Sequence, residues 1–374
     1  LPEHKHITNP GLTGQAAFHG GDIWGAARRL EVNPDRILDL SASLNPLGPP
    51  AGLDKILAQS FKRICHYPDR HNTLLKEALA KQLGLNSKNL IVGNGSTALI
   101  RLLSRALDLK TILILAPSFG EFPRSMALTG RHFHFLSISE SQNFTPTTVD
   151  IDRIWAHDPS CVVLTNPVSP TGTLVEREFL DTLLAQAMAR RTWMIVDEAF
   201  IDFAPDQARK WSPPLVQKYP RLIVLRSMTK FYCLAGLRLG YMMGHTDTLA
   251  HIEPLGEPWS VNTPAHDAGI YCLAQNEYAL KTRKAVDKWR EEMKGKLTGM
   301  GLVVYPSQVN YLLTRLPHTA PTADIVSSRT AEQGVLVRDC QSFPGCGPRH
   351  LRFAVTTTEE QKRLFKALET ALKS

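Results

Sequence analysis

The chain has 374 residues, enough for one large domain and a smaller one with ample core. Hydrophobic residues make up 43% and charged residues 21%, an ordinary globular balance, and no apolar run approaches the roughly 20 residues of a membrane span. The formal charge is +8, from 43 basic and 35 acidic residues, yet no dense Lys/Arg run is interleaved with aromatics. Nucleic-acid binding is therefore disfavoured, and a basic surplus suits an anionic small substrate.

Residues 1–21 are polar and contain proline and glycine, with no apolar core of a signal peptide, so the expected location is cytoplasmic. Six cysteines (65, 161, 233, 272, 340 and 346) form no CxxC pair; they read as reduced and structural, and no metal site is expected.

An irregular arm is expected over residues 4–21, ending at His19-Gly20-Gly21. The double glycine allows a close backbone approach or a positive-φ turn, but by itself the segment reads first as an ordinary loop. A short helix over 23–30 and a strand over 37–40 follow. Next comes a proline-broken crossing segment containing Asn45-Pro46-Leu47-Gly48. Residues 53–61 and 73–83 show helical spacing, separated by the turn Tyr67-Pro68-Asp69.

The pattern then changes. Apolar runs at 90–92, 111–115, 132–136, 161–164, 193–196, 222–225 and 239–243 alternate with helical stretches, of which 98–107 and 178–190 are the clearest. Buried strands separated by helices imply a mainly parallel sheet covered on both faces. Beyond Pro264 the spacing is helical, with a long amphipathic run over 277–297. Short strands at 302–305, 311–314, 335–337 and 351–355, with helices at 322–332 and 358–372, make a second α/β layer. The expected division is an arm and part of a small domain in 1–50, a large domain in 51–270 and the rest of the small domain in 271–374.

Parallel α/β sheets bind ligands beyond the carboxyl ends of their strands, so the residues there carry the functional reading. Gly93-Asn94-Gly95-Ser96-Thr97 opens a helix and offers an anion site, or a plain N-cap. Phe119, after the 111–115 strand, reads as a ring-stacking group or a core side chain. Residues 165–172 form a stiff polar turn containing Ser169. Asp197 ends a buried strand, where a carboxylate is costly unless paired, either with a protonated ring nitrogen or with an arginine.

The strand 222–225 leads into Ser227-Met228-Thr229-Lys230-Phe231-Tyr232, with Arg238 eight positions after the lysine. A lysine at the mouth of a buried strand is desolvated, which lowers its pKa and frees its amine as a nucleophile. Ser227 and Arg238 supply a hydrogen bond and a fixed charge for a phosphate. Taken alone, the stretch reads equally as a surface lysine and a solvated arginine. Phosphate donors, a stacking aromatic, a carboxylate and a lysine recur together at successive strand ends, in the order a pyridoxal phosphate site requires.

On these residues the chain resembles the aspartate-aminotransferase superfamily of pyridoxal phosphate enzymes across essentially its whole length. Its nearest branches are the histidinol-phosphate aminotransferases and the threonine-phosphate decarboxylases. His19-Gly20-Gly21, residues 40–48, His66-Tyr67-Pro68-Asp69, residues 197–203, Pro258-Trp259-Ser260-Val261-Asn262 and Asn310-Tyr311-Leu312-Leu313 are similar to the second branch. The resemblance implies fold type I, a large αβα domain with a mainly parallel seven-stranded sheet plus a small α/β domain.

It further implies that Lys230 holds the cofactor as a Schiff base, Asp197 partners the pyridine nitrogen and Phe119 stacks on the ring. Gly95, Ser96, Thr97, Ser227 and Arg238 would hold the cofactor phosphate, with Tyr67 supplied by the neighbouring subunit of a homodimer with shared sites. Arg338 and Arg352 match the arginines that meet the substrate's acidic groups, and His19, Gly20, Gly21 and Asn45 fall where substrate contacts are expected. Two positions depart from the aminotransferase pattern. Ser169 stands where an asparagine usually bonds the cofactor's phenolic oxygen, and Phe200 stands where a tyrosine commonly does. Phe200 suits the decarboxylase branch, so the expected activity is decarboxylation of a phosphorylated amino acid, O-phospho-L-threonine or O-phospho-L-serine. The product would be an aminoalcohol phosphate for a cobamide, with histidinol-phosphate transamination as the alternative.

Overall fold

The computed structural model describes residues 19–373; of the expected arm, all but His19-Gly20-Gly21 lies outside the described residues. In chain order the strands are β1 (Leu38–Asp39), then β2 (Leu90–Asn94), β3 (Ile112–Ala116), β4 (Phe133–Ser137), β5 (Cys161–Thr165), β6 (Trp193–Asp197), β7 (Leu222–Ser227) and β8 (Leu239–Gly244). The later ones are β9 (Val303–Val304), β10 (Tyr311–Arg315), β11 (Val335–Leu336), β12 (Arg338–Asp339) and β13 (His350–Ala354).

Seven strands form one sheet in the order β2-β8-β7-β6-β5-β3-β4, in which β8 alone runs antiparallel to its neighbours. Each interior strand sends alternate side chains to two separate cores, as the two-residue period of a strand requires. Leu113, Leu115, Val162, Leu164, Met194 and Val196 enter one core. Ile112, Ile114, Cys161, Val163, Ile195 and Ile223 enter the other. Apolar residues at every position are thus explained by helices on both faces, the feature that made these strands legible.

The second layer is a four-stranded sheet, β12-β13-β10-β9, antiparallel in every pair. The short strand β1 joins it to the front of the chain by pairing in parallel with β11. Asn310 reinforces that union, since its side-chain amide donates to the carbonyls of Ser43 and Leu44 in the crossing segment. Among the described residues no helix is long and apolar enough to cross a membrane.

Two boundaries differ from expectation in ways that matter. The helix expected from residue 98 begins at Gly95, because a glycine at φ +74° lets the chain turn directly from β2 into the helix. The run 335–337 breaks into β11 and β12, which turns Arg338 onto the antiparallel sheet opposite Arg352. Helices at Ile151–Trp155, Ser212–Lys218 and Thr246–Ile252 add to the expected elements, each too short to show a helical period in sequence, and Glu121–Leu128 adds another whose signal Pro123 interrupts.

Candidate active site

The carboxyl ends of β2, β3, β5, β6 and β7 open on one cavity of about 290 Å³, closed on its far side by the second layer. Lys230 lies in it, on the single turn Met228–Phe231 that follows β7. Burial pushes its amine down to about 8, and the charges of Arg352 and Arg238 act in the same direction. Its Nζ sits 5.8 Å from the centre of the Phe200 ring. A surface lysine is excluded, and the amine has a neutral form accessible near physiological pH.

Asp197 ends β6 and lines the same cavity, and among the described residues no salt bridge to it is formed. Its Oδ1 accepts one hydrogen bond, from the Ala199 amide at 2.9 Å. Desolvation raises the carboxyl to about 6, against that hydrogen bond, with Glu198 adding to the rise. A buried carboxylate held so high is suited to a cationic ligand group. The buried Arg226 on the adjacent strand β7 is committed elsewhere. Its Nε donates to Glu198 at 2.8 Å in a buried pair completed by Ser212.

Ser96, Thr97, Ser227 and Arg238 line the cavity together. Gly95 does not line it but makes it possible, because a Cβ there would lie 2.7 Å from Nη2 of Arg238. Arg238 itself reaches in from an exposed turn, at φ +61°. Gly240 plays a similar part on β8, where a Cβ would meet the Ser96 amide nitrogen at 2.7 Å. The first-turn amides of the helix, three hydroxyls and one guanidinium therefore surround a space shaped for an anion.

Phe119 forms one wall and Ser169 another, the latter with its amide bonded to Thr165 Oγ1 at 3.0 Å. Flat aromatic walls, a desolvated amine, an unpaired carboxylate and an anion cradle fit pyridoxal phosphate.

The second layer contributes Arg338 and Arg352, both buried and both lining the cavity. Arg352 donates from Nη2 to the Ser41 carbonyl at 3.2 Å and lies 5.0 Å from the Tyr311 ring, while its Nε has no hydrogen-bond partner. Arg338 donates to Ser342 Oγ at 2.9 Å. Of the arm, His19 and Gly20 line the cavity. Gly20 packs so closely on Ser41 that a Cβ would stand 2.3 Å from its carbonyl oxygen, and the Gly21 amide donates to Ser41 Oγ at 2.9 Å.

Gly21 does not line the cavity, and two further expected residues lie elsewhere. Asn45 does not line the cavity: its amide nitrogen lies within hydrogen-bond distance of the Phe231 carbonyl, Tyr278 Oη and Thr282 Oγ1, and its backbone N–H donates to the Lys230 carbonyl at 3.1 Å. It therefore braces the turn that carries Lys230 from behind. Tyr67 is 79% exposed and stacks on Trp259 at 4.6 Å, away from this chain's own cavity.

Three further residues shape the site without having been singled out. Ser43 lines the cavity with a buried hydroxyl that has no partner. Tyr311 packs edge-on against Phe200 at 4.8 Å and donates to the Val168 carbonyl at 3.2 Å. Glu121 follows Gly120 of the wall and bonds His19. A lone serine carries no signal in sequence, and a glutamate opening a helix reads as ordinary dipole compensation.

The family pattern described as aminotransferase class I and II matches residues 35–368. The threonine-phosphate decarboxylase of Salmonella typhimurium is 33% identical over 95% of this chain and 96% of its own. Among solved structures, the histidinol-phosphate aminotransferase from Clostridium acetobutylicum matches with TM-score 0.82 and 27% identity, covering 89% of this chain and 98% of that one. The L-threonine-O-3-phosphate decarboxylase from Porphyromonas gingivalis matches with TM-score 0.79 and 25% identity, covering 90% and 100%.

Proposed function

This chain belongs to the class I and II aminotransferase family, and we propose that within it the chain decarboxylates a phosphorylated hydroxy-amino acid, O-phospho-L-threonine or O-phospho-L-serine, with pyridoxal phosphate as cofactor. One observation carries this reading. The cavity of Lys230 is capped by two buried arginines at one register position, which suits a small substrate bearing two anionic groups. The product would be an aminoalcohol phosphate for the nucleotide-loop linker of a cobamide.

The cofactor would be held by Lys230, with Asp197 facing its ring nitrogen, Phe119 on its ring and Ser169 toward its phenolic oxygen. Gly95, Ser96, Thr97, Ser227 and Arg238 would receive its phosphate. When bound it supplies an electron sink for the bond broken at the substrate's Cα.

The remaining work falls to the chain's own groups. Arg338 and Arg352 clamp the substrate's anions, so its carboxylate rather than its Cα hydrogen is presented for cleavage. Their planar forks fix direction as well as distance. Apolar Phe200 and Phe343 keep water from the cavity wall and strengthen every charge inside it. Once CO₂ has left, Lys230 Nζ is placed to deliver a proton to Cα, and an amine near 8 exchanges protons readily at neutral pH. Phe200 offers no hydroxyl, which supports decarboxylation over the aminotransferase alternative. We also read the exposed Tyr67–Trp259 pair as part of a homodimer face, the partner's Tyr67 completing the phosphate site.

Incubation of purified protein with each phosphoamino acid tests the proposal. CO₂ and aminoalcohol phosphate should appear in equal amounts. Keto-acid formation with 2-oxoglutarate, without CO₂, would overturn the decarboxylase reading, and 2-oxoglutarate-dependent turnover of histidinol phosphate would establish the alternative, histidinol-phosphate transamination.

A further inference from the structure

Glu121 opens the helix Glu121–Leu128 directly after Gly120 of the cavity wall, and its side chain is 3% exposed. Oε1 meets Nε2 of His19 at 2.7 Å and Nη1 of Arg124 at 3.1 Å, and Arg101 approaches Oε2 at 3.6 Å. The His19 bond is the largest influence holding this carboxyl below its usual range, against the opposing effect of burial. His19 in turn lies 5.6 Å from the Phe119 ring and lines the cavity.

Nothing about the fold requires this pairing. Arg101 and Arg124 already balance the buried carboxylate, and both reach it from the partly exposed side. The histidine, 42% exposed, comes from a different part of the chain, 102 residues away in sequence. Two other contacts bring it there: Gly20 against the Ser41 carbonyl and the Gly21 amide on Ser41 Oγ. Ser41 is also the residue whose carbonyl receives Arg352. The end of the arm is thus fastened at two points, one on the crossing segment at Ser41 and one on the helix beside the cofactor wall.

We propose that Glu121 is a positioning residue that latches the end of the arm, His19-Gly20-Gly21, beside the cavity through His19 and fixes which imidazole nitrogen addresses the substrate. With Nε2 committed to the carboxylate, Nδ1 is the ring nitrogen left to face the substrate's anionic group. The catalytic consequence rests on the functional reading above; the latch itself does not.

The test uses Glu121→Gln, His19→Ala and the double variant in the cofactor-loaded full chain. A charge-assisted hydrogen bond of this kind is worth roughly ten-fold in binding, so Glu121→Gln should raise KM for the phosphorylated amino acid about ten-fold with kcat within about two-fold. In the His19→Ala background the same substitution should add nothing further, because the two residues act as one unit. Independent multiplication of the two effects, or an unchanged KM in Glu121→Gln beside a raised KM in His19→Ala, would overturn the proposal.

A second readout needs no turnover. Amide exchange at Gly21 should accelerate in both single variants, and a wild-type rate in either refutes the latch. Should Glu121→Gln fail to fold, His19→Ala, altered at a partly exposed ring, carries the exchange test alone. Absence of CO₂ from every phosphoamino acid would defeat the decarboxylase reading while the exchange result still judges the latch.

Discussion

Arg338 and Arg352 occupy directly opposed positions on the antiparallel strands β12 and β13, so two guanidinium groups face one cavity from a single register pair. Burial lowers the pKa of Arg338, and the neighbouring charge of Arg352 lowers it further. Such an arrangement stores unfavourable energy in the free protein and releases it when anions arrive.

Arg352→Met should therefore separate stability from binding. Removing one of two facing cations leaves the thermal midpoint of the cofactor-free protein unchanged or higher. Loss of a desolvated charge partner costs about 2–5 kcal/mol in binding, so kcat/KM should fall by ~10²-fold or more. A scanning calorimetry trace paired with steady-state kinetics checks both halves. A large fall in midpoint would show that Arg352 serves the fold first.

Asp197 carries a cost of its own. Its ordinary value is 3.8 and its folded value about 6, so between those pH values the folded chain holds a proton that the unfolded chain releases. Stability of the cofactor-free protein should fall as pH rises through that window, the full penalty being present above it. Asp197→Asn lacks the penalty: it should match wild type below pH 3.8 and exceed it at pH 7, by on the order of 3 kcal/mol at 1.36 kcal/mol per pK unit. Urea unfolding at the two pH values measures the difference. Cofactor affinity, followed by equilibrium dialysis, should fall in the same variant.

Lys230 gives the opposite slope. Its ordinary value is 10.5 and its folded value about 8, so between these the unfolded chain binds a proton that the folded chain does not. Stability contributed by this group rises from pH 8 to 10.5 and is lost below that range. Lys230→Met should show a smaller gain over the same interval. Equal gains in the two proteins would place the amine in contact with water rather than in the dry cavity described above.

Ser43 and Asn45, two residues apart, should behave oppositely. The Ser43 hydroxyl is buried without a partner, so Ser43→Ala should not lower stability, whereas KM for a substrate that uses the hydroxyl should rise. Asn45→Ala removes the amide nitrogen that lies within hydrogen-bond distance of the Phe231 carbonyl, Tyr278 and Thr282. It should cost about 2–4 kcal/mol of stability as a buried network lost, and lower kcat by loosening the turn of Lys230. Chemical denaturation and initial rates for the pair are sufficient. A stability loss in Ser43→Ala exceeding that in Asn45→Ala would reverse the assignment.

The sequence by itself determined the seven-stranded sheet and the chemistry at its strand ends. Strands such as Ile112–Ala116 and Cys161–Thr165 are apolar at every position because both faces are covered, and that pattern is local. Lys230, Asp197 and the Gly95 turn follow such strands within a few residues, so their place was legible too. Only the tertiary structure decided what Asn45, Ser43, Glu121 and Tyr311 do. Their partners lie far away in sequence: Asn45 meets Tyr278 and Thr282, and Glu121 meets His19. A polar side chain in a loop has many possible partners, and its role is fixed only when another layer closes over it. Closure turned the crossing segment's asparagine into a brace for Lys230 and left its serine hydroxyl facing the cavity.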